Sequence, residues 1–107
     1  MSGPVFDALA DPNRRALLDA LAERPTATPT ELAAELPVTR QAVSKHLATL
    51  EAAGLVASER RGRETHYRLT PQPLTEAIGW IAQVGAEWDD RLRSLDAHLR
   101  SRRGRSR

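Results

Sequence analysis

Apolar positions along the chain recur at helical spacing in five stretches, interrupted once by a stretch of period two. Val5, Phe6 and Leu9 lie at helical spacing, and Asp11-Pro12 then reads as an N-cap with proline at the first helical position. Leu17, Leu18 and Leu21, with Ala16 and Ala20, give this second helix an apolar face until Arg24 and Pro25 stop it. Thr28-Pro29-Thr30-Glu31 is a capping box, in which Thr28 accepts from a free backbone N–H and Glu31 reaches back to the cap. A short third helix follows with Leu32, Ala33 and Leu36 inward. Pro37 cannot continue it, because the ring removes a donor and clashes with the preceding turn, and Thr39 offers a new N-cap. The fourth helix is predicted to run to about Ala53, burying Val43, Leu47 and Leu50 at i, i+4 and i+7, with Gly54 suited to the left-handed residue that ends a helix. Helices joined by so short a break form a helix-turn-helix.

After Gly54 the period falls to about two. Leu55 to Glu59 and Thr65 to Leu69 flank Arg60 to Glu64, with Gly62 available for the turn, so a β-hairpin is predicted. Thr70-Pro71 restarts a helix over about 71–100. Leu74, Ile78, Ile81, Gly85, Trp88, Leu92, Leu95 and Leu99 follow at alternating spacings of four and three, a heptad seam with one glycine in an apolar slot. The rest of so short a chain cannot cover that seam, so it reads as a self-association surface, Gly85 allowing close approach beside Trp88. The fold class expected is mainly α with a small β-hairpin: one domain over residues 1–100, then an Arg-rich, disordered tail over 101–107.

Composition narrows the functions available. With 107 residues there is room for one modest core, and 40% hydrophobic with 28% charged residues is ordinary for a folded, soluble domain. The chain has no cysteine, which removes disulfides, thiolate metal sites and cysteine nucleophiles. Neither a basic-then-apolar leader nor a long apolar span appears, so a cytoplasmic location is expected. Net charge is only +2, but it is unevenly placed. Five of 16 basic residues are arginines in the last eight positions, leaving 11 basic against 14 acidic residues before them. Within that body, residues 40–68 hold six basic side chains against three acidic ones. A local basic face points to nucleic acid more directly than total charge does.

The solvent face of the fourth helix is predicted to present Arg40, Gln41, Ser44, Lys45 and Ala48. A DNA major groove admits one helix, and Arg, Lys or Gln on it can pair with purine edges. Gln41 and Lys45 are best placed for base edges, while Thr39, Ser44 and His46 suit phosphate oxygens. Arg60, Arg61 and Arg63 around Gly62 would put guanidinium groups at the hairpin tip, where a narrow minor groove concentrates negative potential. His66 and Tyr67 alternate faces, one packing inward and the other free to reach a phosphate; the pattern leaves open which does which. An exposed amphipathic helix or a charged hairpin is by itself commonplace. The order of short turn, polar helix, basic hairpin and self-associating helix is what makes a dimeric DNA-binding module the preferred reading. Two others stay open: an architectural DNA-binding protein without site preference, and a module that binds protein through the fourth helix. No phosphate loop, nucleophile elbow, metal-ligand spacing or paired carboxylate marks an enzyme, and no cofactor is expected.

These residues resemble the ArsR family of bacterial winged helix-turn-helix repressors. The resemblance rests on Leu9-Ala10-Asp11-Pro12-Asn13-Arg14-Arg15 with Ala16-Leu17-Leu18, on Gln41-Ala42-Val43-Ser44-Lys45-His46-Leu47 with Leu50 and Gly54-Leu55-Val56, and on Arg61-Gly62-Arg63 with Tyr67-Arg68-Leu69. It implies a homodimer paired through its first helix (Val5, Phe6) and its last, seated on a palindromic operator and blocking transcription, often of its own operon. Family sensors that release DNA on binding metal use thiolates near the third helix, where this chain has Thr28, Thr30 and Leu36-Pro37-Val38. Asp96-Ala97-His98 matches half of a second family metal site, but no later His or Glu completes it. No metal site is therefore expected, and the resemblance is to the branch without metal-binding cysteines.

Overall fold

The computed structural model describes residues 3–105, with side chains described through Ser101. Its elements run α1 (Gly3–Leu9), α2 (Pro12–Ala22), α3 (Pro29–Glu35), α4 (Arg40–Ala52), β1 (Val56–Arg61), β2 (Glu64–Leu69) and α5 (Gln72–Arg105). The chain divides into two compact units, Met1–Thr75 and Glu76–Arg107, with the boundary inside α5.

The starts of α2, α3 and α4 are each fixed by a side chain that satisfies free backbone donors. The Asp11 carboxylate accepts from the N–H groups of Asn13 (2.7 Å) and Arg14 (3.2 Å), with Pro12 opening α2. Thr28 Oγ1 accepts from Glu31 N (3.2 Å) while Glu31 Oε1 accepts from Thr28 N (3.0 Å), completing the predicted capping box. Thr39 Oγ1 accepts from Ala42 N (3.1 Å) at the start of α4. Helix α4 ends at Ala52, one residue earlier than the pattern suggested, and Gly54 takes φ 78° as expected of a helix-terminating glycine.

The core of this unit forms where α2, α3 and α4 turn their apolar faces together under the hairpin. Leu17, Leu21, Leu32, Val43, Leu47, Leu50 and Leu55 are fully buried. Each such side chain contributes about 1.5–3 kcal/mol relative to an exposed one. Val5 is also buried, at 4% exposure. This corrects its reading as an interface residue: the short α1 turns Val5 into its own core, and Phe6 is left half-buried on that helix.

The hairpin pairs Val56 with Leu69 through to Arg61 with Glu64, antiparallel and without a bulge. The turn is therefore two residues, Gly62-Arg63, instead of the five-residue tip expected from Arg60 to Glu64. Only Gly62 has positive φ (63°), the sign pattern of a type II′ turn, whose twist suits two-residue hairpins. Ala27 adds a one-residue bridge to the free side of β2, exchanging bonds with Tyr67 (3.0 and 2.8 Å) and tying the segment before α3 to the hairpin.

Helix α5 starts at Gln72, one residue later than the proline placement suggested, because the Pro71 carbonyl accepts the first helical bond, from Thr75 N (3.0 Å). Its backbone is helical through Arg105, so the helix extends into the Arg-rich tail expected from Ser101 onward; residues 106 and 107 lie outside the described residues. Arginine is a strong helix former, and no proline interrupts the segment. In the second unit, Ile78, Ile81, Trp88, Leu92, Leu95 and Leu99 are all exposed, by 43% to 67%. Arg93–Asp90 and Arg100–Asp96 pair along the helix surface at 2.7 Å each, and the Arg91 guanidinium lies 5.8 Å from the Trp88 ring centre.

Candidate nucleic-acid interface

Helix α4 is held by Val43, Leu47 and Leu50, so its opposite side is free. Arg40, Gln41, Ser44, Lys45 and Ala48 are all exposed there, as the pattern required. At 100° per residue, Gln41, Ser44, Lys45 and Ala48 fall within one narrow arc. His46 does not join them. It is half-buried on the flank beside Asp11, whose ionised form its charge favours, so the structure separates His46 from the groove-facing set. Thr39 stays exposed, with its hydroxyl engaged as the helix cap.

The hairpin stands beside the Arg40–Ser44 edge of α4, and Ser58 on β1 donates to Glu51 Oε2 of α4 (2.6 Å), fixing its base. Strand alternation divides the three arginines that the sequence grouped together. Arg60 and Arg63 line a cleft of about 720 Å³ together with Arg40 and Ser44 of α4 and Tyr67 of β2. Arg61 points away and pairs with Glu59 (3.2 Å). Arg60 Nε donates to the Gly62 carbonyl (3.0 Å), which steadies the turn beneath its guanidinium. The remaining walls come from residues 28–31 at the start of α3 and from Glu64 and Thr65.

His66 and Tyr67 are both half-buried, so neither is wholly inward. Burial, with the Glu51 charge behind it, raises the Tyr67 phenol and keeps it a neutral hydrogen-bond donor on the cleft wall. His66 Nε2 lies 3.4 Å from Glu64 Oε2, while its Nδ1 is buried with no hydrogen-bond partner among the described residues.

Sequence reasoning missed Thr30, Glu64 and Thr65, which reach the cleft only because the Ala27–Tyr67 bridge brings the start of α3 against β2. A single bridging residue has no periodicity to detect. It also missed what Arg14 and Arg15 do. Arg14 donates from Nε to the Ala8 carbonyl (2.8 Å) and from a terminal nitrogen to that of Asp7 (2.9 Å), and Arg15 donates to Leu9 (2.6 Å). The two cations thus close the C-terminal carbonyls of α1, where the helix dipole favours positive charge. Their position just after a helix end was the available signal. Asp96 is taken by Arg100, and among the described residues no group of three or more His, Asp or Glu side chains is placed to hold a metal ion.

A tight helix pair with a polar second helix, flanked by a basic two-stranded wing, defines a winged helix-turn-helix DNA-binding domain. A family profile described as a helix-turn-helix domain matches residues 9–59. The chain is 43% identical over 84 residues to the HTH-type transcriptional regulator YuzN of Bacillus subtilis, covering 72% of this chain and 91% of that protein. It is 31% identical over 88 residues to the transcriptional repressor SdpR of the same organism, covering 82% and 97%. The fold is similar to that of an ArsR-like transcriptional regulator from Rhodococcus sp. RHA1, with TM-score 0.84 and 40% identity over 92% of this chain and 89% of that one. The chain belongs to the ArsR family of winged helix-turn-helix regulators, and is a DNA-binding transcriptional regulator. Among the described residues no helix is long and apolar enough to cross a membrane.

Proposed function

We propose that the protein is a homodimeric repressor that binds a palindromic operator, with α4 in the major groove and the wing at the adjacent minor groove, and that it acts on its own operon. The observation that carries this is the juxtaposition of the exposed polar arc of α4 with the arginine-lined cleft under the wing. Gln41 and Lys45 read base edges; Arg40, Ser44, Arg60, Arg63 and Tyr67 hold the backbone, and Thr39 caps the reading helix beside it. Arg61, on the outer face of the wing, adds long-range attraction. Repression is supported by the likeness to SdpR, which is named a transcriptional repressor.

Dimerisation is supported by the seam on α5. Six large apolar side chains stand exposed along it at heptad spacing, and a helix with so much unburied apolar surface is stabilised chiefly by packing against a partner. A second copy supplies a matching seam and the second reading helix that a palindrome needs. The long helix thus serves as the dimerisation arm, and Phe6 and Leu74 belong to the same proposed interface. The site of action is the cytoplasm, where the operator is.

The experiment is a comparison of the chain with its Gln41→Ala/Lys45→Ala variant on operator and random duplexes. The variant is expected to bind both alike, with folding unchanged. An operator preference that survives both substitutions would contradict the assignment of the reading residues.

A further inference from the structure

We infer that Gly85 and Trp88 form a reciprocal lock between two copies of the chain: Gly85 of each α5 is the socket for Trp88 of the other, which fixes the register in which the two helices mesh. The inference rests on the self-association proposed above and deepens it.

Nothing described within the chain calls for glycine at position 85. A helix interior disfavours glycine more than any residue except proline. Positive φ among the described glycines is confined to Gly54 and Gly62, so Gly85 uses no conformation that other residues avoid. A Cβ built on it meets nothing within 4 Å. The vacant surface at Gly85 is therefore shaped for a group from outside the chain. One seam position further on stands the largest side chain of the seam, Trp88, 57% exposed.

Two helices carrying this seam can pair in either direction, and the two directions treat Gly85 and Trp88 differently. In a parallel pair each seam position meets its own copy, so Gly85 faces Gly85 across a void while Trp88 crowds Trp88. An antiparallel pair aligns Leu74 with Leu99, Ile78 with Leu95, Ile81 with Leu92 and Gly85 with Trp88, each contact occurring twice by symmetry. All eight seam residues then find a partner, and the smallest position receives the largest side chain.

Charge selects the same arrangement. Residues 72–90 of α5 carry four acidic side chains and no basic one, whereas residues 91–105 carry six arginines against the single acid Asp96. A parallel pair sets like halves side by side, well inside the screening distance of about 8 Å at physiological salt. An antiparallel pair sets each acidic half against an arginine-rich one.

The chain has no cysteine, so introduced cysteines report contact without background. The test oxidises full chains carrying Ile78→Cys or Leu95→Cys, separately and mixed, at a concentration where sedimentation shows self-association. The mixture is expected to cross-link as the mixed pair. Each variant alone should not, because the two copies of position 78 stand about 25 Å apart in this register, far beyond disulfide reach. Gly85→Leu should raise helicity yet weaken self-association roughly tenfold or more, a combination that misfolding cannot produce. Adding Trp88→Ala to Gly85→Leu should recover much of that loss. Gly79→Ala, at an equally open glycine off the seam, should raise helicity and leave association unchanged.

Cross-linking of Ile78→Cys with itself, no mixed cross-link in chains that still sediment as dimers, full association by Gly85→Leu, or no recovery on adding Trp88→Ala would each overturn the lock while leaving the dimer standing. A wild-type chain that sediments as a monomer at every concentration would remove both.

Discussion

Arg14 and Arg15 follow a helix end by a few residues and act on it, donating to the Ala8 and Leu9 carbonyls and adding a second donor to that of Asp7, which already accepts from Ala10 N. Hydrogen bonds from a charged donor contribute about 1.5–3 kcal/mol each, less where water competes. Arg14 is the more enclosed, its side chain 18% exposed. Arg14→Ala is therefore expected to destabilise the chain by about 1–2 kcal/mol in urea unfolding, with Arg14→Lys recovering only part, because one ammonium cannot reproduce the fork. At the same scale, two caps make stability pH-dependent. Partial burial raises the Asp11 carboxyl, but the N–H groups of Asn13 and Arg14, with the charges of Arg14 and His46, outweigh it and leave it below the ordinary range. The backbone N–H and hydroxyl of Thr28 lower Glu31 in the same direction. A depressed folded value means the contribution is present above the ordinary carboxylate range, about pH 4, and is lost as pH falls through the folded value. Thermal unfolding should be flat above about pH 5 and decline below about pH 4. Asp11→Asn/Glu31→Gln should flatten that decline while keeping both caps; an unchanged decline would place the acid sensitivity elsewhere.

Among elements, the helices were largely legible because each of α2, α3 and α4 starts on a side chain that acts locally, Asp11, Thr28 and Thr39 accepting from donors within three residues. The hairpin was legible in kind and misread in length. Composition marks Arg60 and Arg61 as polar, while register makes them strand, and register depends on a turn that only the φ of Gly62 reveals. The same misreading grouped Arg61 with the cleft arginines. The Ala27 bridge and the cleft it creates join residues about 40 apart in sequence and leave no local trace. The tail is a different case, since its four arginines look like a solvated end whether or not the backbone under them is helical. Two substitutions test the elements. Leu47→Ala, at the centre of the buried side of α4, should cost about 3 kcal/mol in urea unfolding. Gly62→Val places a branched side chain at φ 63° and should cost more than about 1 kcal/mol. In binding assays it should weaken DNA association without altering the α4 preference, whereas unchanged affinity would remove the wing from the interface.

For the whole molecule, α5 is the element on which the proposed dimer rests, since its 34 residues span about 50 Å and carry apolar side chains far from full burial. Exposed ion pairs such as Arg93–Asp90 contribute at most a few tenths of a kcal/mol each and cannot hold so long a helix alone. A second copy is the simplest source of the missing contacts. Trp88→Ala should loosen the proposed dimer by about 3–5 kcal/mol, a shift readable by sedimentation as dissociation at low concentration. A dimer that persists unchanged at the lowest measurable concentration would place Trp88 outside the contact.

Together these parts support the proposed sequence-specific regulator, and the most direct measurement of that claim is binding of the purified chain to a fragment carrying its own promoter, beside random DNA of the same length, across a salt series. Tight, salt-steep binding to the promoter, at least roughly a thousandfold stronger than to random DNA, is the expected result. Equal, weak binding to both duplexes would contradict it.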